Sequence, residues 1–308
     1  KLGAEIRYGV QVGVDITVDD LMREGYAAVF VGVGATESAK MRCEGEDAGY
    51  QCFMTGIEFL RRVSRNERPV EGKKLLVIGG GNVAMDCVRS ALRMGFEDVN
   101  LIYRRTQAEM PADPQEIREA QQEGVKFHYL VAPVKIIAFE GKVTGLECEK
   151  MELGAPDASG RRQPVPVKGS NFVIPCDAIV PAIGQTCVVD CVLPPEEVDI
   201  SRWKTLVVDE ITGQTRQPWI FAGGDCVTGP ATLIGALAAG KHAARFMAQY
   251  LETGSCAPSD GDWMEKLIAK LGIFYFKERM PCQDATTKLH PPVLPPEALM
   301  RPCQWDAT

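Results

Sequence analysis

Histidine, paired cysteines and long hydrophobic runs are the features this 308-residue sequence has little of or lacks. It contains three histidines, and they form no cluster with cysteine at the spacing typical of a metal site. Eleven cysteines are scattered without a Cys-x-x-Cys pair, which disfavours a disulfide framework and indicates reduced thiols, as in the cytosol. There is no signal peptide and no membrane-spanning run, so we predict a cytoplasmic protein without a membrane partner.

The composition sets the class of protein and excludes one class of partner. Hydrophobic residues make up 45% and charged residues 24%, as in an ordinary soluble protein, and the length allows two domains. The formal net charge of -7 argues against a general nucleic-acid binder. One polar stretch, Gly154–Gly169, is expected to be a surface loop.

The remaining chain is arranged around a strand-turn-helix pattern. An apolar run of strand character ends in three glycines, and a helical periodicity follows at once. The spacing Gly79-x-Gly81-x-x-Ala84 matches the dinucleotide-binding fingerprint, in which the helix N-terminus faces a pyrophosphate. The candidate cofactor-binding residues here are Gly79, Gly80, Gly81, Asn82, Val83 and Ala84. The alternative is a glycine-rich turn that binds no ligand.

The next predicted strand, Asp98–Arg105, bears on the choice of cofactor. An NAD-selective site usually has an acid near the end of this strand, to bind the ribose 2′-hydroxyl. Here the strand ends in Arg104 and Arg105, and a guanidinium group suits a 2′-phosphate. We therefore predict NADP(H) as the cofactor, with both arginines as candidate residues. The alternative, for one or both, is a solvated surface charge.

Several motifs resemble one family. They are Gly-Gly-Gly-Asn-Val-Ala-Met-Asp-Cys at 79–87, Tyr-Arg-Arg at 103–105, Glu-Met-Pro-Ala at 109–112, Ala-Ile-Gly-Gln at 182–185 and Phe-Ala-Gly-Gly-Asp at 221–225. In this order they look like the small (β) subunit of NADPH-dependent glutamate synthase and its FAD-dependent relatives. The resemblance covers roughly residues 1–250.

The resemblance implies an α/β fold with two Rossmann-like, three-layer nucleotide-binding domains, the NADP domain being inserted into the FAD domain. Residues 1–70 would be a remnant of the first half of the FAD domain, 71–185 the NADP domain and 186–251 the second half of the FAD domain. Residues 252–308 would form a C-terminal extension. The family's N-terminal FAD fingerprint and iron–sulfur region are not found. The chain, which opens on Lys1, is therefore expected to be a fragment.

The resemblance also implies a flavin site at the ends of two strands and the start of a helix predicted over Ala231–Leu251. In the family the acid after the second strand lies near the FAD ribityl–phosphate region, and the helix N-terminus faces the flavin ring. The candidate residues are Gly34, Ala35, Gly224, Asp225, Ala231, Thr232 and Leu233, with Gly184 expected near the NADP ribose. The alternatives are a plain strand with a tight exit and an ordinary core helix.

The implied function is an NADPH-dependent flavin oxidoreductase. Hydride would move between NADPH and FAD, and electrons would pass on to an iron–sulfur domain or subunit. We expect no catalytic acid–base residue, because the cofactors carry this chemistry. One alternative is a flavin-free module that senses NADP(H) or serves in assembly. Another, a disulfide reductase, is disfavoured by the missing cysteine pair.

Overall fold

The computed structural model describes residues 3–156, 162–189, 193, 197–259 and 261–262. Within these residues the chain divides into two compact units. One, the split unit, comprises the chain up to Glu37 and from Gln185 onwards, and the other, the fingerprint unit, is Ser38–Gly184. One unit is thus inserted into the sequence of the other, as predicted. The predicted extension 252–308 lies largely outside the described residues.

Helices and strands alternate along most of the chain. The helices are α1 (Val18–Arg23), α2 (Gly56–Ser64), α3 (Asn82–Arg93), α4 (Pro114–Gln122), α5 (Asp225–Thr228) and α6 (Leu233–Thr253), with a 3₁₀ turn at Gln107–Glu109. The strands are β1 (Val29–Val31), β2 (Glu37–Ser38), β3 (Lys74–Ile78), β4 (Asp98–Tyr103), β5 (Lys126–Tyr129), β6 (Val131–Phe139), β7 (Lys142–Pro156), β8 (Arg162–Pro166), β9 (Phe172–Pro175), β10 (Ala178–Pro181), β11 (Gln185–Thr186) and β12 (Ile220–Ala222).

The fingerprint unit is a three-layer α/β domain. Its central sheet is parallel, in the order β10-β3-β4-β5. Leu75 and Val77 of β3 belong to the core shared with α2, α3 and α4. Leu76 and Ile78 point to the other face, where they join a core formed with β6, β7 and β9. This strand is buried on both faces, which explains why its sequence is a continuous apolar run.

Residues 38–70 pack with the fingerprint unit, although they were predicted to belong to the FAD half. The reason is a set of contacts with β10 and α3. Met54 N donates to Ile179 O at 3.2 Å, and Ile179 N donates to Cys52 O at 3.0 Å. The helix that follows is capped by Thr55, and Gly56 at its start lies so close to α3 that a Cβ there would be 3.3 Å from Cys87 Sγ.

A ribbon of β7 and β8 replaces part of the loop predicted at 154–169. Up to Lys150, β7 pairs with β6, and from Met151 onwards it pairs with β8, with Met151 opposite Pro166 and Leu153 opposite Pro164. Strand β8 contains Pro164 and Pro166. These prolines are tolerated because β8 is the last strand in the order β6-β7-β8, and its outer edge needs no backbone donor for a neighbouring strand.

The split unit is built on β1 and β12, which pair in parallel with Val31 opposite Ala222. Helix α6 packs on β12 through a small core that includes Phe221 and Phe246. Gly254 ends the helix in the left-handed conformation, at φ 74°. None of the helices within the described residues is long and apolar enough to cross a bilayer.

Candidate nucleotide-binding sites

The turn between β3 and α3 requires a glycine at its first position. Gly79 has φ 147°, and a Cβ there would be 2.1 Å from the carbonyl oxygen of Ala182. Its N–H donates to Ile102 O at 3.0 Å. Ala84 is fully buried, and the same hypothetical Cβ would lie 3.4 Å from Ala84 Cβ. Helix and strand therefore approach as closely as the fingerprint spacing predicts.

Gly80 and Gly81 differ in their surroundings. Gly80 is covered by the ring of Tyr103, which a Cβ would meet at 2.6 Å. Gly81 has an ordinary extended conformation, φ -94° and ψ 178°, and within the described chain a Cβ there would meet nothing within 4 Å. Packing and backbone geometry explain Gly79 and Gly80 but not Gly81. A glycine at this place leaves room for a group that approaches the main chain from outside.

The start of α3 offers backbone donors. In the described part of the chain, the N–H groups of Gly81, Asn82 and Val83 donate no hydrogen bond. Helix α3 has 12 residues, so its dipole adds partial positive charge at this end. Unpaired N–H groups and a positive helix end beside an open glycine fit the negative oxygens of a pyrophosphate.

A segment after β4 lies across the turn, and its role was not predicted. Ala112 N donates to Gly80 O at 3.1 Å, and Asp113 N donates to Asn82 Oδ1 at 3.0 Å. The Asn82 side chain therefore holds this segment in place, rather than pointing unpaired at a ligand. Tyr103 OH donates to Glu109 O at 2.8 Å, which adds a third contact. The Glu-Met-Pro-Ala motif at 109–112 was the sequence signal for this segment.

The two arginines after β4 have different environments, although they were predicted to act alike. Arg104 is exposed, whereas Arg105 is 6% exposed. Arg105 Nε donates to the carbonyl oxygen of Arg162 in β8 at 2.7 Å. Its own carbonyl accepts from Leu130 N at 3.1 Å. Arg104 is thus the member of the pair that presents its guanidinium to solvent beside the turn.

Gly184 closes the fingerprint unit at the carboxyl end of β10. It has φ 125°, a conformation that favours glycine, and its carbonyl accepts from Ala39 N at 3.0 Å. Pro181 in β10 is opposite Ile78 in β3, so Gly184 follows the strand that neighbours the one leading into the fingerprint turn. Both strands carry their candidate glycines at the same edge of the sheet.

In the split unit, most flavin candidates follow the paired strands β1 and β12. Gly34 and Ala35 come after β1, and Gly224 and Asp225 come after β12. The thiol of Cys226 donates to Val31 O at 3.4 Å and to Gly223 O at 3.3 Å, which joins the two strand ends. The structure therefore brings these candidates to one edge of the sheet, where ligands of open α/β sheets bind.

The start of α6 differs in detail from the prediction. Asp225 Oδ1 accepts from Ala231 N at 3.2 Å, so these two candidates are in contact. The helix begins at Leu233, and the Thr232 hydroxyl accepts from Gly235 N at 3.2 Å as its N-cap. The Thr232 side chain thus has a structural partner within the helix. Leu233 is 78% exposed.

Within the described residues, the cysteines are free thiols. Burial raises the pKa of Cys148 and Cys176 to about 12, and it also raises the pKa of Cys187 and Cys226. Such thiols are poor nucleophiles at neutral pH. No group of three or more potential metal ligands occurs in the described part of the chain.

The model of one protein family, described as pyridine nucleotide-disulphide oxidoreductase, matches residues 8–249 of the chain. The chain belongs to this family. The description of this family names a pyridine nucleotide, the class of cofactor to which NADP(H) belongs. The predicted resemblance to the glutamate synthase small subunit and related oxidoreductase subunits is confirmed.

Three curated relatives illustrate the similarity. The NADP(+)-dependent formate dehydrogenase subunit beta of Moorella thermoacetica is 46% identical over 89% of this chain. The NADPH-Fe(3+) oxidoreductase subunit beta of Geobacter sulfurreducens is 38% identical over 94%, and the small chain of Escherichia coli NADPH glutamate synthase is 36% identical over 82%. The chain spans only 38%, 46% and 56% of the lengths of these relatives, respectively.

Solved structures support the fold. Mycobacterium tuberculosis FprA in complex with NADPH has a TM-score of 0.62 at 18% identity, covering 85% of this chain and 73% of its own. Thioredoxin reductase from T. acidophilum has a TM-score of 0.58 at 17% identity, covering 73% of this chain and 66% of its own. At these identities the likeness concerns the fold alone.

Proposed function

We propose that this chain contains the NADP(H)-binding domain and part of the flavin-binding domain of an NADPH-dependent oxidoreductase. The observation that carries the proposal is the open space at Gly81 beside the unpaired N–H groups of α3. These features fit a pyrophosphate at the turn. The relatives whose names include NADPH or NADP(+) supply the expected nucleotide.

The 2′-phosphate is assigned to Arg104. This side chain is exposed at the end of the strand where an NAD-selective site would have an acid. Arg105 is nearly buried and donates to a main-chain carbonyl of β8, so it presents little surface to a ligand. Of the two predicted arginines, only Arg104 is therefore assigned to the 2′-phosphate.

The flavin is assigned to the carboxyl ends of β1 and β12. The candidate groups are the main chain at Gly34 and Gly224, the Asp225 carboxylate and the N-terminus of α6. When both cofactors are bound, they supply hydride transfer between nicotinamide and flavin, while the protein positions them. In the described residues these groups stand on only two parallel strands, so we propose that flavin binding depends on further polypeptide, consistent with the greater length of the relatives. Electrons would then leave through an iron–sulfur domain or subunit.

A calorimetric titration of the chain with NADPH and with NADH tests the nucleotide assignment. We expect NADPH to bind more tightly. Arg104→Ala should weaken NADPH by about 1.5–3 kcal/mol, the range of one charge-assisted hydrogen bond, and leave NADH nearly unchanged. Arg118→Ala, which removes an exposed arginine from α4, is the matched control and should alter neither affinity.

Two results would contradict the assignment. If the folded chain bound neither nucleotide, the turn would not be a nucleotide site in this chain. If Arg104→Ala weakened NADPH and NADH equally, Arg104 would not be the 2′-phosphate ligand.

A flavin-free NADP(H)-binding module is the second candidate. It is favoured by the placement of all the predicted NADP residues within the fingerprint unit. The visible absorbance of the full-length gene product, measured after incubation with FAD and gel filtration, separates the two candidates. Retained flavin supports the oxidoreductase, whereas a colourless product that still binds NADPH supports the module.

A further inference from the structure

The β7–β8 ribbon is attached to the loop that carries the two arginines. Arg105 Nε donates to the carbonyl oxygen of Arg162, the first residue of β8. The Arg162 guanidinium in turn donates to Leu153 O at 2.7 Å and to Gly154 O at 3.3 Å in β7. Because each of these bonds has a charged donor, they are stronger than ordinary main-chain bonds. The end of the ribbon and Arg105 therefore form one connected structure.

A second connection runs through the main chain of Leu130. Its N–H donates to Arg105 O at 3.1 Å, and its carbonyl accepts from Met151 N at 2.8 Å. Leu130 has φ 56°, an unfavourable conformation for a bulky side chain, so the surrounding contacts hold it there. Met151 is also the residue at which β7 changes its partner from β6 to β8. The loop after β4 is thus tied to the ribbon at two points.

The rest of this loop is also held. Thr106 N donates to Glu109 Oε2 at 3.1 Å, and Tyr103 OH donates to Glu109 O. Arg104 is exposed, whereas its neighbours Tyr103 and Arg105 are buried. Its position is consequently determined by neighbours that are each fixed to another element.

We propose that the β7–β8 ribbon is a specificity element of the nucleotide site, with Arg105 as a positioning residue that orients Arg104 towards the 2′-phosphate. This inference rests on the proposed function. The pyrophosphate end of the site is formed by the α3 N-terminus, which does not depend on Arg105. Loosening the ribbon contact should therefore lower the preference for NADPH over NADH without abolishing NADH binding.

The test measures the affinities of the full chain for NADPH and NADH by calorimetry. Arg105→Met removes the donor and keeps the length, and Arg105→Lys keeps the charge but not the Nε–H geometry. Arg162→Ala keeps the carbonyl that accepts from Arg105 but removes the bonds to Leu153 and Gly154. Gln163→Ala, an exposed neighbour on β8, is the control. The salt dependence of 2′,5′-ADP binding is the second readout.

We expect both Arg105 variants to lower the NADPH-to-NADH affinity ratio about tenfold, near the lower limit of the loss expected for Arg104→Ala, with NADH affinity unchanged. Arg162→Ala should lower the ratio by a smaller factor, and Gln163→Ala should not change it. The salt dependence should fall less in Arg105→Met than in Arg104→Ala, because a positioning residue contributes no phosphate contact of its own and its loss only weakens the contact made by Arg104.

Three results would overturn the inference. A wild-type ratio in both Arg105→Met and Arg162→Ala would show that the ribbon has no influence. A wild-type ratio in Arg105→Lys, with a salt dependence in Arg105→Met as weak as that in Arg104→Ala, would show direct contact of Arg105 with the phosphate. A wild-type chain without preference for NADPH would refute the proposed function as well. If the Arg105 variants do not fold, Arg162→Ala decides, because it alters only an exposed side chain.

Discussion

Substituting alanine for either of two glycines in the fingerprint turn should have opposite effects. Gly79→Ala is expected to destabilise the fold, because glycine is required there by the protein itself. Gly81→Ala is expected to leave the fold nearly intact and to weaken nucleotide binding, because a Cβ there enters space that the protein leaves open. The pair therefore separates folding from ligand binding within three residues of sequence.

The structure sets the size of both effects on stability. At Gly79, φ 147° lies in a region that residues with a Cβ avoid, and the Cβ would be 2.1 Å from Ala182 O. Backbone strain and overpacking each cost about 1–3 kcal/mol, so about 2–6 kcal/mol of unfolding free energy should be lost. At Gly81, an N-cap position in an ordinary conformation, the cost should be about 0.5–1 kcal/mol.

Binding should change in the reverse order. A methyl group at Gly81 would separate the main chain from the pyrophosphate and lengthen the hydrogen bonds that the N–H groups donate to it. Losing one bond to a charged group costs about 1.5–3 kcal/mol, or roughly ten- to a hundredfold in affinity. NADPH and NADH should be affected equally, since they share the pyrophosphate.

Urea unfolding gives the free energy of unfolding of each variant, and calorimetry gives both nucleotide affinities. Wild-type affinity in Gly81→Ala would refute the assignment of the pyrophosphate to this turn. Wild-type stability in Gly79→Ala would show that the close approach to Ala182 is not part of the folded protein.

Further predictions concern stability. Glu123, whose side chain is fully buried, forms ion pairs with Arg89 at 2.8 Å and with Arg93 at 3.1 Å. Glu123→Gln should therefore lower the free energy of unfolding in urea by about 3–5 kcal/mol. The control Glu58→Gln, which breaks a more exposed pairing with two arginines on α2, should lower it by at most about 1 kcal/mol. Burial opposes ionisation of Glu123, but hydrogen bonds from both arginines outweigh it and lower its pKa. The contribution of Glu123 to stability is therefore present above the unfolded-state pKa of about 4.3 and is lost as the pH falls through the lower, folded-state pKa. Glu123→Gln should consequently flatten the fall in stability below about pH 4.3. An unchanged dependence of stability on pH would contradict this prediction. Thr232→Ala should cost about 1 kcal/mol through loss of the α6 cap, measured by thermal unfolding; no change would show that the cap adds nothing.

Local patterns in the sequence were sufficient for the strand-turn-helix unit and the fold class. The apolar run at 75–78, the glycine spacing from Gly79 to Ala84 and the helical periodicity after it act over a few residues, and β3 and α3 form where they predict. Helix α4 begins at Pro114, a local signal of the same kind, because proline at the first position of a helix needs no backbone donor. The order of motifs along the chain was enough to identify the family.

The tertiary structure alone decided which residues share a function. Arg104 and Arg105 are indistinguishable as neighbours in sequence, and what separates them is a carbonyl oxygen 57 residues away, at Arg162. Asp177 accepts hydrogen bonds from Lys73 N and Lys74 N at a separation of more than 100 residues, which no local pattern indicates. Periodicity and turn chemistry depend on near neighbours. Burial and hydrogen-bond partners depend on which distant segments meet, so they follow only from the folded chain.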